Sequence, residues 1–265
     1  MTLSVSRVPQ EGARTRALVL LHGIYGRGRN LRAIADAVAS ARPEYECWLV
    51  DLPYHGESTA GRHGDSVSGL AHDVIEQLAQ IGVRPDAIVG HSYGGKVALA
   101  MAAASPYAHL QVWLIDSTPE TKPPSGSAWG MLDLIRRLPQ RFTRREDATE
   151  AIIAGGYARG VAQWMATNLV REGDGFVWRL DFDAMERLLL DFFHTDMWAV
   201  VESPREGQDI HIIKASESSA ISDEAVTRLD AASGERLHLH HREGGHWIHA
   251  ESPQVIADLL IQNLP

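Results

Sequence analysis

Gly90-His91-Ser92-Tyr93-Gly94-Gly95 is the stretch whose reading decides the fold. Before it, Ala87-Ile88-Val89 reads as a buried strand. After it, Lys96 to Ala104 carries Val97, Ala98, Leu99, Ala100 and Met101, a helix that is apolar on nearly every side. A strand that turns sharply into a helix through Gly-x-Ser-x-Gly is a nucleophile elbow, with the serine in a strained conformation and its hydroxyl projecting from the turn. Gly90 and Gly94 suit so tight a bend, because side chains there would collide across it. The helix that starts behind Ser92 turns free N–H groups and the positive end of its dipole toward that hydroxyl. The five-residue pattern alone arises by chance in roughly one chain in ten of this length. The flanking strand and helix are what make Ser92 the candidate nucleophile.

Working outward, alternation of apolar strands and helices continues on both sides. Ala17–Leu21 is a continuous apolar run of strand length, as in a parallel sheet buried on both faces, and ends in His22-Gly23-Ile24-Tyr25-Gly26. A helical pattern follows from about Asn30 to Ser40, then the strand Cys47–Val50, ending at Asp51-Leu52-Pro53-Tyr54-His55-Gly56-Glu57-Ser58. Ser66 to Ile81 places Val67, Leu70, Val74, Ile75 and Leu78 on one helical face. Past the elbow, Val112–Ile115 is a strand that stops at Asp116. Leu3–Val8 alternates weakly, as a short edge strand does. From Ser117 to about Arg205 the rhythm breaks, with helical stretches near Gly130–Leu138, Arg145–Ile153, Val161–Val170 and Asp183–Phe193 and no convincing strand. It returns with Ile210–Lys214, a helix near Ser222–Ala232, Leu237–His240, the loop Glu243-Gly244-Gly245-His246, and a last helix from about Ser252. The expected architecture is a mostly parallel central sheet with helices on both faces, formed by residues 1–116 and 206–265, and a helical cap, 117–205, inserted between two strands.

At 265 residues, 45% hydrophobic and 22% charged, the chain has the composition of an ordinary globular protein. A net charge of −9 argues against nucleic acid or an anionic membrane surface as partner. The apolar run Ala17–Leu21 is too short for a signal peptide or a membrane span, and the single cysteine, Cys47, excludes an internal disulfide, so a cytoplasmic location is expected. Beside Trp48-Leu49-Val50, Cys47 reads as a core residue.

Four segments in order, LVLLHG, DLPYHGES, VGHSYGGKVAL and GGHWIHAESP, make the chain resemble the α/β-hydrolase superfamily over nearly its whole length. It looks most like the small capped serine esterases. The resemblance implies an α/β-hydrolase fold and cleavage of carboxylic esters through an acyl-enzyme. Thioesters, lactones, carbon–carbon bonds or perhydrolysis would use the same machinery. A ligand-binding receptor on a hydrolase fold is the rival of a different class. The implied partner is a small-molecule ester or thioester, with no cofactor.

Ser92 needs a base, and His246 fits: flanking glycines let its backbone approach the elbow, and GGHWIHAESP matches the family's histidine segment. His249 is the fallback. The family's oxyanion donors fall here on the backbone N–H groups of Tyr93 and Ile24. The usual acid position, after the next strand, holds Ser218, which cannot carry the charge. Asp116 and Glu217 are the candidate acids; some branches of the superfamily use the strand end that Asp116 occupies. Tyr25, with a free hydroxyl, and Trp129, Trp164 and Trp198 are expected to line the substrate pocket. His55 is expected to be structural and Lys96 solvated or salt-bridged. Arg136, Arg137, Arg141, Arg144 and Arg145 read as a solvated face or, alternatively, a greeting for an anionic substrate tail. His238 and His240 share one strand face, but no cysteine or clear acidic third ligand joins them, so no metal is expected.

Overall fold

The computed structural model describes residues 2–8, 15–104, 107 and 109–265. Ten strands are described: β1 (Val5–Arg7), β2 (Arg16–Leu21), β3 (Tyr45–Val50), β4 (Ala87–His91), β5 (Leu110–Ile115), β6 (Arg141–Phe142), β7 (Leu169–Glu172), β8 (Gly175–Trp178), β9 (Gln208–Ala215) and β10 (Leu237–Arg242). Seven form one sheet in the order β1-β3-β2-β4-β5-β9-β10. Every neighbouring pair is parallel except β1 against β3, so the weakly alternating N-terminal stretch is an antiparallel edge.

The central strands are continuous apolar runs because both faces are covered. Along β2, Val19 and Leu21 face one cluster, while Leu18 and Leu20 face the other. The second face is covered by α1 (Arg32–Ala41), through Ile34, Ala35 and Val38, and by the C-terminal helix, through Ile256, Ala257 and Leu260. The first face takes α2 (Val67–Gln80) and α3 (Tyr93–Ala104). Ser66 caps α2, its side chain accepting from the Gly69 N–H. Alternation of buried strand residues between two helical layers is the doubly covered α/β sandwich.

Between β5 and β9 the chain leaves the sheet through α4 (Gly126–Arg137), α5 (Arg145–Ala154), α6 (Arg159–Ala166), α7 (Phe182–His194) and α8 (Trp198–Glu202). One expectation is corrected here: the segment is not purely helical, for β6, β8 and β7 form a small antiparallel sheet. The helical pattern read over Val161–Val170 stops at Ala166, and β7 and β8 are joined by a two-residue turn, Gly173-Asp174, with Gly173 at φ 59°. That Gly-Asp turn between Val170 and the Phe176-Val177-Trp178 run is a hairpin signal too short to override the helical periodicity around it. The chain closes with α9 (Asp223–Ala232), α10 (Ile248–Glu251) and α11 (Pro253–Asn263).

Lys96 fastens the inserted segment to the elbow helix. It is fully buried, against the expectation of a solvated or salt-bridged side chain, and its Nζ donates to the carbonyls of Glu120 (2.8 Å), Phe192 (2.8 Å) and Thr195 (3.0 Å). A helix apolar on nearly every side has no wet face for a lysine, so its amine must find acceptors in the layer above. Burial pushes its pKa down to about 7. Asn168, donating from Nδ2 to the Tyr25 carbonyl at 2.9 Å, makes a second tie between the segment and the sheet.

Candidate active site

The strands of the parallel sheet deliver their C-terminal ends to one edge, where open α/β sheets hold their sites. Ser92, straight after β4, sits at φ 50°, a left-handed conformation rare for a residue with a side chain. The bend needs its glycines: a Cβ on Gly90 would lie 2.1 Å from the Gly94 carbonyl oxygen, and one on Gly94 2.5 Å from that of His22. The Ser92 N–H donates to Ile115 O (3.0 Å), and the Ser117 hydroxyl donates to Ser92 O (2.6 Å), pinning the strained residue to the end of β5.

His246, in the loop after β10, meets the elbow. Its Nε2 lies 3.1 Å from Ser92 Oγ and its Nδ1 2.6 Å from Asp116 Oδ2. With the carboxylate accepting from Nδ1–H, Nε2 is left as acceptor for the serine hydroxyl, the tautomer that the partners dictate. Asp116 is wholly buried and, at φ 47°, also left-handed. Its other partners are the Ala215 N–H (3.2 Å, to Oδ1) and the Ser218 hydroxyl, which donates to Oδ2. Ser218, at the position where the family pattern has its aspartate, thus hydrogen-bonds the carboxylate that comes from β5. Glu217 is exposed on the cleft wall, and His246 Nδ1 pairs with Asp116 instead.

Around this trio lie buried imidazoles, of which His91 escaped the sequence reading. Its Nε2–H donates to the His246 carbonyl (2.9 Å), holding the histidine loop against the elbow. Its ring packs tilted at 38° against that of His249, centroids 3.8 Å apart, which makes His249 a packed neighbour rather than a second base. His22 donates from Nδ1 to Gly23 O (2.7 Å) and accepts the Leu52 N–H; His55 donates to Pro53 O (2.8 Å) and accepts the Tyr25 N–H, the structural role expected of it. Only the position x of Gly-x-Ser-x-Gly could have drawn attention to His91.

Desolvation holds these rings neutral, with pKa values of about 4 for His22 and about 3 for His55 and His249, and well below the ordinary value for His91. In the unfolded chain they titrate near 6.5. Each folded-state pKa is depressed, so the neutral ring's contribution to stability is fully present above pH 6.5. It is lost as the pH falls toward 4, at up to about 1.4 kcal/mol per pH unit for each ring. The thermal midpoint is therefore expected to drop steeply below pH 6; a midpoint unchanged at pH 4.5 would refute this account.

The loop after β2 runs beside the serine. A Cβ on Gly23 would stand 2.7 Å from His91 Nδ1 and 3.3 Å from Ser92 Cβ, so only glycine lets the backbone pass. Ile24 follows in this loop, and Tyr93 is the first residue of α3, whose amide has no acceptor within the helix. Tyr25 corrects an expectation: it is buried at φ 62°, and its hydroxyl is not free but donates to Ala128 O (2.9 Å).

The cleft over Ser92 has a volume of about 600 Å³. Its walls are Phe192 and Phe193 on one side and hydroxyl-rich turns with Lys122 and Glu217 on the other. None of Tyr25, Trp129, Trp164 and Trp198 is among the residues that wall it, and Trp164 walls a second cavity instead. Trp129 packs edge-on to Phe193 (6.3 Å), Trp198 lies under the Arg228 guanidinium (4.0 Å), and Trp164 faces Trp247 (4.5 Å). Four arginines of the run bond within the inserted segment, Arg136 to Asp183 and Glu186, Arg141 to Asp174, Arg144 to Asp147 and Arg145 to the Leu169 carbonyl.

His238 and His240 are half-buried, not an exposed face. His240 Nε2 accepts from His211 Nδ1–H (3.0 Å), and His211 stacks on Trp113 (4.0 Å). Among the described residues, His63, Asp73 and Glu76 have donor atoms within 4.8 Å of one another, but His63 Nδ1 bonds Asp73 (2.7 Å) and Arg62 holds Glu76 (2.8 Å), which makes the trio an ion-pair network. Among the described residues no helix is long and apolar enough to cross a membrane.

A family model described as the alpha/beta hydrolase family matches residues 18–259. The chain is 25% identical over 251 residues to the mouse (Mus musculus) sn-1-specific diacylglycerol lipase ABHD11, covering 91% of this chain and 78% of that one. Over 142 residues, half of each chain, it is 29% identical to a pimeloyl-(acyl-carrier protein) methyl ester esterase of Nitrosospira multiformis. Among solved structures, a marine microorganism esterase superposes with a TM-score of 0.83 over 98% of both chains at 20% identity, a likeness of fold.

Proposed function

The chain belongs to the alpha/beta hydrolase family, and on that premise we propose that it hydrolyses carboxylic esters through an acyl-enzyme on Ser92. The observation that carries this reading is the continuous hydrogen-bonded line from Ser92 Oγ through His246 to Asp116, at 3.1 and 2.6 Å. His246 Nε2 takes the serine proton as Oγ attacks the ester carbonyl. The N–H groups of Tyr93 and Ile24 stabilise the oxyanion of the tetrahedral intermediate. The bond to the alcohol then breaks as His246 hands its proton to the leaving oxygen, and a water activated by the same nitrogen releases the acid. Asp116 fixes the imidazole tautomer and balances the transient imidazolium. Support for esters as substrates comes from the two relatives whose names describe ester-cleaving enzymes.

Residues 117–205 act as a cap, a reading supported by Phe192 and Phe193 in the wall of the cleft. A buried Cys47 as the sole cysteine fits a reducing compartment such as the cytoplasm. Turnover of a series of p-nitrophenyl esters, with a fluorophosphonate adduct located by peptide mass on Ser92, is the expected result. A folded protein that turns over no ester and takes no adduct would be a receptor, not a hydrolase.

A further inference from the structure

Beside the Ser92 cleft lies a second cavity of about 330 Å³, walled by Ala158, Val161 and Trp164 on and before α6 and by Trp247, His249 and Ala250 of the histidine loop. That is the small end of the range for ligand sites. Trp247 lines both cavities, so they meet at its indole. Its ring stands edge-on to His246 (5.3 Å) and leans on Trp164 (4.5 Å), which closes the partition from the α6 side.

We propose that the second cavity receives the apolar chain of the ester's alcohol portion, with Trp247 as the partition that sets how that chain enters. The proposal rests on the reading of Ser92 and His246 given above. The two cavities differ in chemistry. The Ser92 cleft is edged by Ser117, Thr118, Ser125, Ser127, Lys122 and Glu217. The second is walled mainly by alanine, valine and two indoles, with Asn30 and the exposed Glu251 also lining it, and an uncharged chain gains most by leaving water against its apolar part. Its buried polar group is the His249 imidazole, 4% exposed, whose Nδ1 has no hydrogen-bond partner. Burial keeps that ring neutral, so the wall offers no positive charge to an anionic ligand.

Position relative to His246 decides between the alcohol and acyl portions. The leaving oxygen must lie where His246 Nε2 can protonate it. A chain attached to that oxygen starts on the histidine side of the carbonyl. Trp247, edge-on to the His246 ring at 5.3 Å and shared by both cavities, stands on that side. The acyl portion, on the other side of the carbonyl, is left to the cleft bounded by Phe192 and Phe193.

Octyl acetate and ethyl octanoate are isomers that place an octyl chain on the oxygen side of the carbonyl and a heptyl chain on the acyl side, and they test this directly. Gly160 lines the second cavity near the start of α6, and a Cβ there would meet nothing within 4 Å, so Gly160→Phe adds bulk at that wall without a backbone collision. The ratio of kcat/KM for octyl acetate to that for ethyl octanoate is expected to fall by about tenfold or more in this variant, the equivalent of roughly two buried methylenes. Binding of n-octanol, read from tryptophan emission, needs no turnover and should weaken in parallel. An unchanged ratio overturns the proposal, and a loss confined to ethyl octanoate overturns it by giving the cavity to the acyl chain. Should the wild-type protein cleave neither ester, the p-nitrophenyl series and the fluorophosphonate adduct judge the hydrolase reading on its own. The octanol titration then decides the cavity: binding lost in Gly160→Phe supports it, and binding equal to wild type overturns it.

Discussion

Ser92→Ala is expected to lower ester turnover by about 10⁴-fold or more while leaving the fold intact. The hydroxyl is the only atom removed, and no group at hand replaces it. Its Oγ is 3.1 Å from His246 Nε2, and the rest of the constellation, including the Asp116–His246 contact at 2.6 Å, does not depend on it. Alanine in the left-handed conformation at φ 50° is strained much as serine is, so the backbone has no new reason to move. The variant should therefore melt within a few degrees of the wild type and fail to take a fluorophosphonate adduct. Residual hydrolysis of about 10³-fold over water is compatible with the proposal, because oxyanion donors and binding persist. Wild-type turnover in Ser92→Ala would mean that another residue carries the chemistry.

How much of this was legible in the chain depended on whether a residue's role is local. The strand–turn–helix around Ser92 is a local fact, since the glycines flanking the bend and the apolar runs on either side are contiguous in sequence. The order β1-β3-β2-β4-β5-β9-β10 is not, because it depends on which strand pairs with which across long connections. Lys96 was misread although its signal was present: a helix apolar all round is a buried helix, and a lysine on it is buried too. The tryptophans of the inserted segment show the opposite limit. An indole at helical spacing satisfies packing and pocket lining equally, and only the folded chain shows Trp129 packed on Phe193, Trp198 under Arg228, and Trp164 on the wall of the second cavity. His91 was hidden for a different reason, since its contact is with a backbone carbonyl 155 residues away.

Asp116→Asn is expected to reduce turnover by up to about 10⁴-fold, and Glu217→Gln to leave it within a few-fold of wild type. The difference follows from hydrogen-bond direction. Asp116 accepts from His246 Nδ1–H, from the Ala215 N–H and from the Ser218 hydroxyl, three donors aimed at one buried carboxylate. An asparagine amide turned to donate to Nδ1 would place the imidazole proton on Nε2. In that tautomer the nitrogen facing Ser92 can no longer accept its proton. Turned the other way, the amide oxygen keeps the tautomer but leaves the imidazolium without a counter-charge in a buried setting. Neither orientation restores the base. The backbone should tolerate the change, because asparagine is among the few residues at ease near φ 47°. In either orientation the amide nitrogen faces a donor that the carboxylate had accepted, so the melting temperature should fall by a few degrees while the main loss appears in kcat. Glu217, exposed on the cleft wall, has no such constraint on His246, and its amide variant should alter substrate binding at most. Steady-state kinetics of both variants at pH 7.5 with one p-nitrophenyl ester settles the assignment. A large loss in Glu217→Gln beside a near-normal Asp116→Asn would move the acid's role to Glu217, and would require His246 to turn away from the carboxylate it faces in this structure.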